Sequence, residues 1–224
     1  MHAVIFGFDG VLVDTEQLHM RALQQAFAAH GWALTDADYL TRYLGFDDRG
    51  VLTAFTETHG IQATPRNAAS VLADKQRRYA EFLATSQVLF PGARACIERL
   101  AEAFPLAIAS GSLRGEIERI LAANNLRDPF KAIVGADDVR AGKPAPDSYL
   151  SATSALGVPP MRALAIEDSP WGLQSARSAG LVTIGVTTSY RAEALTDADH
   201  VITSLDEVTV ALVRTLLARG VQAG

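Results

Sequence analysis

Ala3-Val4-Ile5-Phe6-Gly7-Phe8-Asp9-Gly10-Val11-Leu12-Val13-Asp14 is the stretch on which the reading of the chain turns. Residues Ala3 to Phe8 are apolar and β-rich, and Asp9-Gly10 is a turn pair, so a short buried strand is predicted to end there. Immediately afterwards the hydrophobic period changes. Leu18, Ala22, Leu23, Ala26 and Phe27 recur at helical spacing until Gly31. A second helical stretch covers Asp47 to Thr58. A third opens at Thr64-Pro65, an N-cap followed by proline at the first helical position, with Ala68, Val71, Leu72, Tyr79, Phe82 and Leu83 on its apolar face. Residues 15–85 are therefore predicted to be all-helical.

Beyond Pro91-Gly92 the pattern alternates. Helices are predicted over 93–103, 113–124, 147–156 and 171–179, and strands over 106–110, 132–134, 163–167, 182–186 and 200–203. A last helix is expected to be opened by a Ser204/Glu207 capping box and closed by Gly220. Strands alternating with helices give a parallel sheet covered on both faces. Leu106-Ala107-Ile108-Ala109 is wholly apolar, as a strand buried on both faces should be. The fold class is α/β, a doubly wound parallel sheet (a Rossmann-like core) interrupted after its first strand by a helical cap. The core is expected to take residues 1–14 and 86–224 and the cap residues 15–85.

The composition narrows the function classes. With 224 residues, 49% of them hydrophobic, the chain can bury the core of one large domain or of a domain with a companion. A net charge of −5 excludes a strongly basic nucleic-acid binder. Cys96 is alone, so no internal disulfide framework exists, which fits a reducing compartment. No run approaches the ~18 apolar residues of a membrane span. The first residues carry no Lys or Arg before Asp9 interrupts them, so no signal peptide is expected. The expectation is a cytoplasmic monomer with no nucleic-acid or membrane partner.

In an open α/β sheet the ligand site lies at the carboxyl ends of the strands. The first strand delivers Gly7, Phe8 and Asp9 there, the second Ser110-Gly111-Ser112, and the fourth Glu167-Asp168-Ser169. Lys143 follows in the loop Gly142-Lys143-Pro144. Carboxylate oxygens suit Mg²⁺. A serine and free N–H groups ahead of a helix suit a phosphate. A lysine suits the charge of a transferring phosphoryl group. Singly, each residue has an ordinary structural use, as turn former, cap or loop residue. Four complementary groups at successive strand ends point jointly to phosphate and a hard cation.

These residues resemble the haloacid dehalogenase superfamily, in its capped phosphatase and β-phosphoglucomutase-like branch. The first motif reads Gly7-Phe8-Asp9-Gly10-Val11-Leu12-Val13-Asp14, the second is Ser110, the third is Lys143 in Gly-Lys-Pro-Ala-Pro-Asp, and the fourth is Ile166-Glu167-Asp168-Ser169 with Gly172 behind it. The resemblance spans nearly the whole chain. It implies a Mg²⁺-dependent phosphatase that works through an aspartyl-phosphate on a small phosphorylated metabolite, such as a sugar phosphate or phosphoglycolate. It also implies roles. Asp9 is the general acid/base and a metal ligand through its carbonyl, Asp168 a metal ligand supported by Glu167, and Ser110 and Gly111 the phosphate cradle. Lys143 bridges the phosphate and the nucleophile. By the resemblance, the carboxylate of Asp9 and the acidic pair 167–168 separate this branch from the metal-free dehalogenases. One position departs from the pattern: the family's nucleophilic aspartate is Gly7 here, which has no side chain with which to attack phosphorus or ligate a metal. The chain as written is therefore expected to be inactive or severely impaired.

In the family the cap selects substrate. Three cap residues are candidates for it: His19, one helical turn after Thr15; Lys75, on the apolar stripe of the third cap helix; and Arg49, after Leu44-Gly45-Phe46-Asp47-Asp48. A lysine on such a stripe either snorkels to water or faces the substrate. Two further functions stay open, a phosphosugar mutase, with which His19 is compatible, and a non-catalytic relative that binds a phosphorylated metabolite. A receiver-type signalling domain is excluded, being far shorter and lacking the helical insertion.

Overall fold

The computed structural model describes residues 1–44, 46–83, 86 and 88–222. The chain forms two compact units, one of Met1–Asp14 with Leu89–Gly224 and one of Thr15–Val88. Residues 84 and 85, where the sequence reading put the second junction, lie outside the described residues, as does Gly45.

The first unit is a six-stranded sheet of order β3-β2-β1-β4-β5-β6, built from β1 (Ala3–Phe6), β2 (Leu106–Ala109), β3 (Phe130–Val134), β4 (Ala163–Glu167), β5 (Val182–Val186) and β6 (His200–Ile202). Every neighbouring pair is parallel. β2 and β4 alternate small and large residues, and this alternation sorts the two faces. Ala3, Ala107, Ala109, Ala163 and Ala165 share one buried cluster with Tyr149 and Ala152 of α7 (Asp147–Leu156) and Ala176 of α8 (Pro170–Ser178). Small strand residues on that face leave room for helix residues to pack close to the sheet. Larger neighbours such as Val4, Phe6 and Ile108 point to the opposite face and are equally buried. The remaining helices of this unit are α5 (Ala93–Ala101), α6 (Arg114–Ala123) and α9 (Val210–Gln222).

The strand order places the site. β1 is flanked by β2 on one side and β4 on the other, so the chain changes direction across the sheet at β1. This is the topological switch point at which doubly wound sheets open a crevice. The ends of β1, β2 and β4 are the three that carry the motif residues.

The second unit comprises α1 (Glu16–Ala28), one turn α2 (Asp36–Asp38) running into a π-helical turn at Tyr39–Tyr43, α3 (Asp48–Thr58) and α4 (Pro65–Leu83). Phe27, Phe55, Tyr39, Tyr43, Val51 and Val71 form its core. The π turn was not anticipated. It keeps Tyr39 and Tyr43 both buried, and Tyr39 donates to the Glu16 carboxylate at 2.5 Å.

Two expectations are corrected. β1 ends at Phe6, since Phe8 already turns: its carbonyl accepts the N–H groups of Val11, Leu12 and Val13. The Ser204/Glu207 capping box is present but closes a separate 3₁₀ turn, Leu205–Glu207. Glu207 spends its carboxylate on the N–H groups of Thr203 and Ser204, and the final helix is capped instead by Thr209, whose hydroxyl accepts from Leu212. That helix also runs past Gly220 to Gln222. No helix among the described residues is long and apolar enough to cross a membrane.

Candidate active site

The turn after β1 is tight because Gly10 adopts φ +76°, and a side chain there would strike Asp168: a Cβ would lie 1.9 Å from Asp168 Oδ2. Glycine is thus required twice at position 10, for its backbone and for the room it leaves. The carboxylate of Asp168 rests against this turn. The loop after β5 secures the other side, since the Thr188 hydroxyl donates to the Gly10 carbonyl.

Asp9 follows Phe8 in the same turn, and its carboxylate accepts a short hydrogen bond from the Ser112 hydroxyl. Ser110 leaves β2 and is buried, and its hydroxyl oxygen accepts the Ser112 N–H at 3.0 Å. That leaves the Ser110 proton available to an anion. Gly111 is exposed, and a Cβ built on it would meet no atom within 4 Å, so the loop is open at that position; beyond it the Ser112 N–H is taken by Ser110 and the Arg114 N–H by the Asp137 carboxylate at 2.8 Å. A serine hydroxyl and the backbone of an open glycine just ahead of a helix are parts from which a phosphate cradle is made.

Lys143 reaches the same edge. Its ammonium donates to the Ala109 carbonyl at 3.0 Å, at the end of β2, and to Glu167 Oε1. Glu167 is 1% exposed, and the same oxygen accepts the Tyr149 hydroxyl at 2.5 Å. Its carboxylate is therefore taken up by Lys143 and Tyr149. α8 begins directly over this carboxylate: a Cβ on Gly172 would lie 1.9 Å from Glu167 Oε2. Asp168 is the neighbouring acid. Burial, and then the charge of Glu167, push its carboxyl from the ordinary 3.8 up to about 7, against the opposing hydrogen bond from Ser189 and the charge of Lys143.

Gly7 sits between these groups. It follows directly on β1, its N–H bonded to the Ile166 carbonyl at 2.9 Å. A Cβ on it would stand 3.2 Å from Glu167 Oε1 and 2.9 Å from Val11 Cγ2. Position 7 thus faces the very oxygen that holds Lys143, and it offers nothing that can attack an electrophile.

Among the described residues no group of three His, Cys, Asp or Glu side chains forms a self-sufficient metal cage. The donor chemistry nonetheless fits Mg²⁺, which takes one or two carboxylates, substrate oxygens and retained water. Asp168 is an oxygen donor whose buried charge is uncompensated enough to raise its pKa to about 7, and a cation relieves that penalty.

In the helical unit, Lys75 and His19 come together as a pair. Lys75 does not snorkel. Its side chain is 2% exposed, with the ammonium 2.8 Å from Asp48 Oδ2, 2.7 Å from His19 Nδ1 and 4.7 Å from the centre of the Tyr79 ring. His19 stacks on Tyr79 at 4.2 Å. Desolvation, then the Lys75 charge, hold His19 well below its usual value, so it is the neutral acceptor of the Lys75 proton. Arg49 does not join them. It lines a groove with Leu52, Thr53, Pro65, Ala68 and Leu72, and its chain neighbour Asp48 occupies the place beside Lys75.

The sequence alone assigns no role to Tyr149, Ser112, Asp48 or Ser189. Tyr149 carried a signal: a tyrosine on the apolar face of a helix needs a buried partner for its hydroxyl.

The model of the haloacid dehalogenase-like hydrolase family matches residues 4–186. The protein CbbY of Rhodobacter capsulatus is 37% identical over 85% of this chain and 87% of its own length. Validoxylamine A 7'-phosphate phosphatase of Streptomyces hygroscopicus subsp. limoneus is 30% identical over 91% of this chain and 94% of its own. A crystal structure of mutant CbbY from Rhodobacter sphaeroides in complex with xylulose-(1,5)-bisphosphate superposes with a TM-score of 0.85 at 31% identity, covering 94% of this chain and 98% of that one.

Proposed function

Because the chain belongs to the haloacid dehalogenase-like hydrolase family, we propose that it binds a phosphorylated sugar at the carboxyl edge of its sheet and that, lacking a carboxylate at Gly7, it does not turn that ligand over through an aspartyl-phosphate. The family reaction is hydrolysis of a phosphoric monoester. The sugar-phosphate class is supported by what the relatives act on or hold: validoxylamine A 7'-phosphate in one, xylulose-(1,5)-bisphosphate in another.

The chain's own residues divide the work. The Ser110 hydroxyl and the N–H of Gly111 bind the phosphoryl oxygens. Lys143 neutralises their charge from its seat on Ala109 and Glu167. Asp9, oriented by Ser112, is placed to give a proton to the leaving oxygen or take one from water. Asp168 and the carbonyl of Asp9 are the residues that would hold Mg²⁺, with Glu167 supporting them through charge. When bound, the cation supplies charge neutralisation and orientation of the phosphoryl oxygens.

The observation that carries this reading is the contrast at one edge. Ser110, Lys143, Asp9 and Asp168 lie at that edge, while position 7 beside them carries no side chain. The test is Mg²⁺-dependent phosphate release from a panel of sugar phosphates, with the chain and Gly7→Asp side by side. The variant is expected to be faster by at least ~10³-fold, the scale of losing a covalent nucleophile. Equal rates would overturn the assignment of position 7.

A further inference from the structure

Tyr149 has no part in the reaction described above, yet it is tightly committed to the site. It is the third residue of α7, 0% exposed and packed against the small-residue face of the sheet. Its hydroxyl donates to Glu167 Oε1 at 2.5 Å, and the same oxygen accepts the Lys143 ammonium. That ammonium also lies over the Tyr149 ring, 5.2 Å from its centre. Tyr149 therefore restrains Lys143 twice, through the shared carboxylate oxygen and through the face of its ring.

Gly7 explains why two restraints are needed. A side chain at position 7 would start 3.2 Å from that same Glu167 oxygen, so a carboxylate there would be a second anionic neighbour of Lys143. In this chain Lys143 makes its ion pair with Glu167. Resting on the phosphate-binding reading above, we infer that Tyr149 is a positioning residue: through Glu167 it performs the task a carboxylate at position 7 would share, holding Lys143 in line with a bound phosphoryl group.

The test is a double-mutant cycle. Binding of inorganic phosphate is measured by calorimetry at one fixed Mg²⁺ concentration for the chain, Tyr149→Phe, Gly7→Asp and the double variant. Phenylalanine keeps the ring and removes only the donor. Loss of one hydrogen bond to a charged group is expected to weaken phosphate about fivefold or more in the chain as it stands. In the Gly7→Asp background the second carboxylate takes up the restraint, and the weakening is expected to stay under about twofold. A residue that merely packs would give equal effects in both backgrounds. Equal weakening, or none in the Gly7 chain, overturns the inference while leaving the phosphate-binding reading intact. A parent chain that binds no phosphate at all overturns that reading and the inference with it. Incorporation of 4-aminophenylalanine at position 149 restores an N–H donor and should bring affinity back to within about twofold of the parent. Failure of that rescue in a folded protein also overturns the inference.

Discussion

Gly7 and Glu167 face each other at the carboxyl end of the sheet, with only 3.2 Å between a Cβ on the one and Oε1 of the other, and Val11 Cγ2 closes the remaining side at 2.9 Å. Val11 is fully buried and branched at Cβ, so it cannot swing aside freely. The position is therefore packed for a residue without a side chain. Gly7→Ala is expected to lose about 1–2 kcal/mol in urea unfolding, as overpacked sites do, although glycine to alanine at an unhindered position usually gains stability. Adding Val11→Ala should return part of the loss. The same crowding burdens Gly7→Asp, so its gain in turnover is expected to come with lower stability. A more stable Gly7→Ala protein would show that the space at position 7 is open.

Gly172 is constrained by the same carboxylate from the opposite direction. A Cβ there would lie 1.9 Å from Glu167 Oε2 and 2.1 Å from its Cδ. Alanine normally favours a helix over glycine by up to ~1 kcal/mol. Here it must drive Glu167 away from both Lys143 and Tyr149. Gly172→Ala is expected to cost about 2 kcal/mol or more and to abolish phosphate binding, checked by thermal unfolding and calorimetry on one preparation. Unchanged phosphate affinity would mean that Glu167 does not hold Lys143.

Much of this site could be read from the chain alone because it lies at strand ends. Once Leu106 to Ala109 and Ala163 to Glu167 are recognised as parallel strands, the residues that leave them have to converge. Glu167 was legible as an acid at that edge, but not as the anchor of Lys143. The same oxygen is shared with Tyr149, a residue of α7, the helix before β4, with no place in the strand-end pattern. Asp48 was missed for a similar reason. Arg49 is the more conspicuous charge, but it is the register of α3 that decides which of the two sits beside Lys75, and the sequence fixes that register only to within a residue or two. The 3₁₀ turn at Leu205–Glu207 was read as the start of the last helix because a capping box signals the beginning of a turn, not its length.

The raised pKa of Asp168 makes stability depend on pH. An acid whose folded value, about 7, lies above its ordinary 3.8 holds its proton more tightly when folded. The stability it contributes is fully present below the lower value and is lost as pH rises through the upper one. Asp168→Asn has no such proton to lose. The variant is expected to become progressively more stable than the chain across that window, by up to roughly 4 kcal/mol, and the gap to level off above it. Mg²⁺ competes with the same proton, so it should restore stability to the chain at the alkaline end and not to Asp168→Asn. Urea midpoints at a series of pH values, with and without Mg²⁺, check both statements. A constant gap would mean that Asp168 is ionised throughout.

Lys75 and Asp48 form an ion pair in the helical unit, 2.8 Å apart, with the lysine side chain 2% exposed and the aspartate 30%. The two partners are not equivalent. Removing Asp48 leaves an ammonium inside the unit with only neutral His19 and the face of Tyr79 for company. Replacing Lys75 by methionine removes the charge that had to be desolvated and leaves Asp48 partly in water. Asp48→Ala is therefore expected to cost about 2–3 kcal/mol, and Lys75→Met less than about 1 kcal/mol or nothing. Trp32 reports on this unit, packed edge-on against Phe27 at 5.5 Å, while the second tryptophan, Trp171, belongs to the sheet unit and is half exposed. Urea unfolding followed by Trp32 fluorescence in a Trp171→Phe background gives the two numbers directly. If Lys75→Met proves the costlier change, the pair stabilises the helical unit outright, and selection of substrate would no longer be needed to explain why a lysine is buried there.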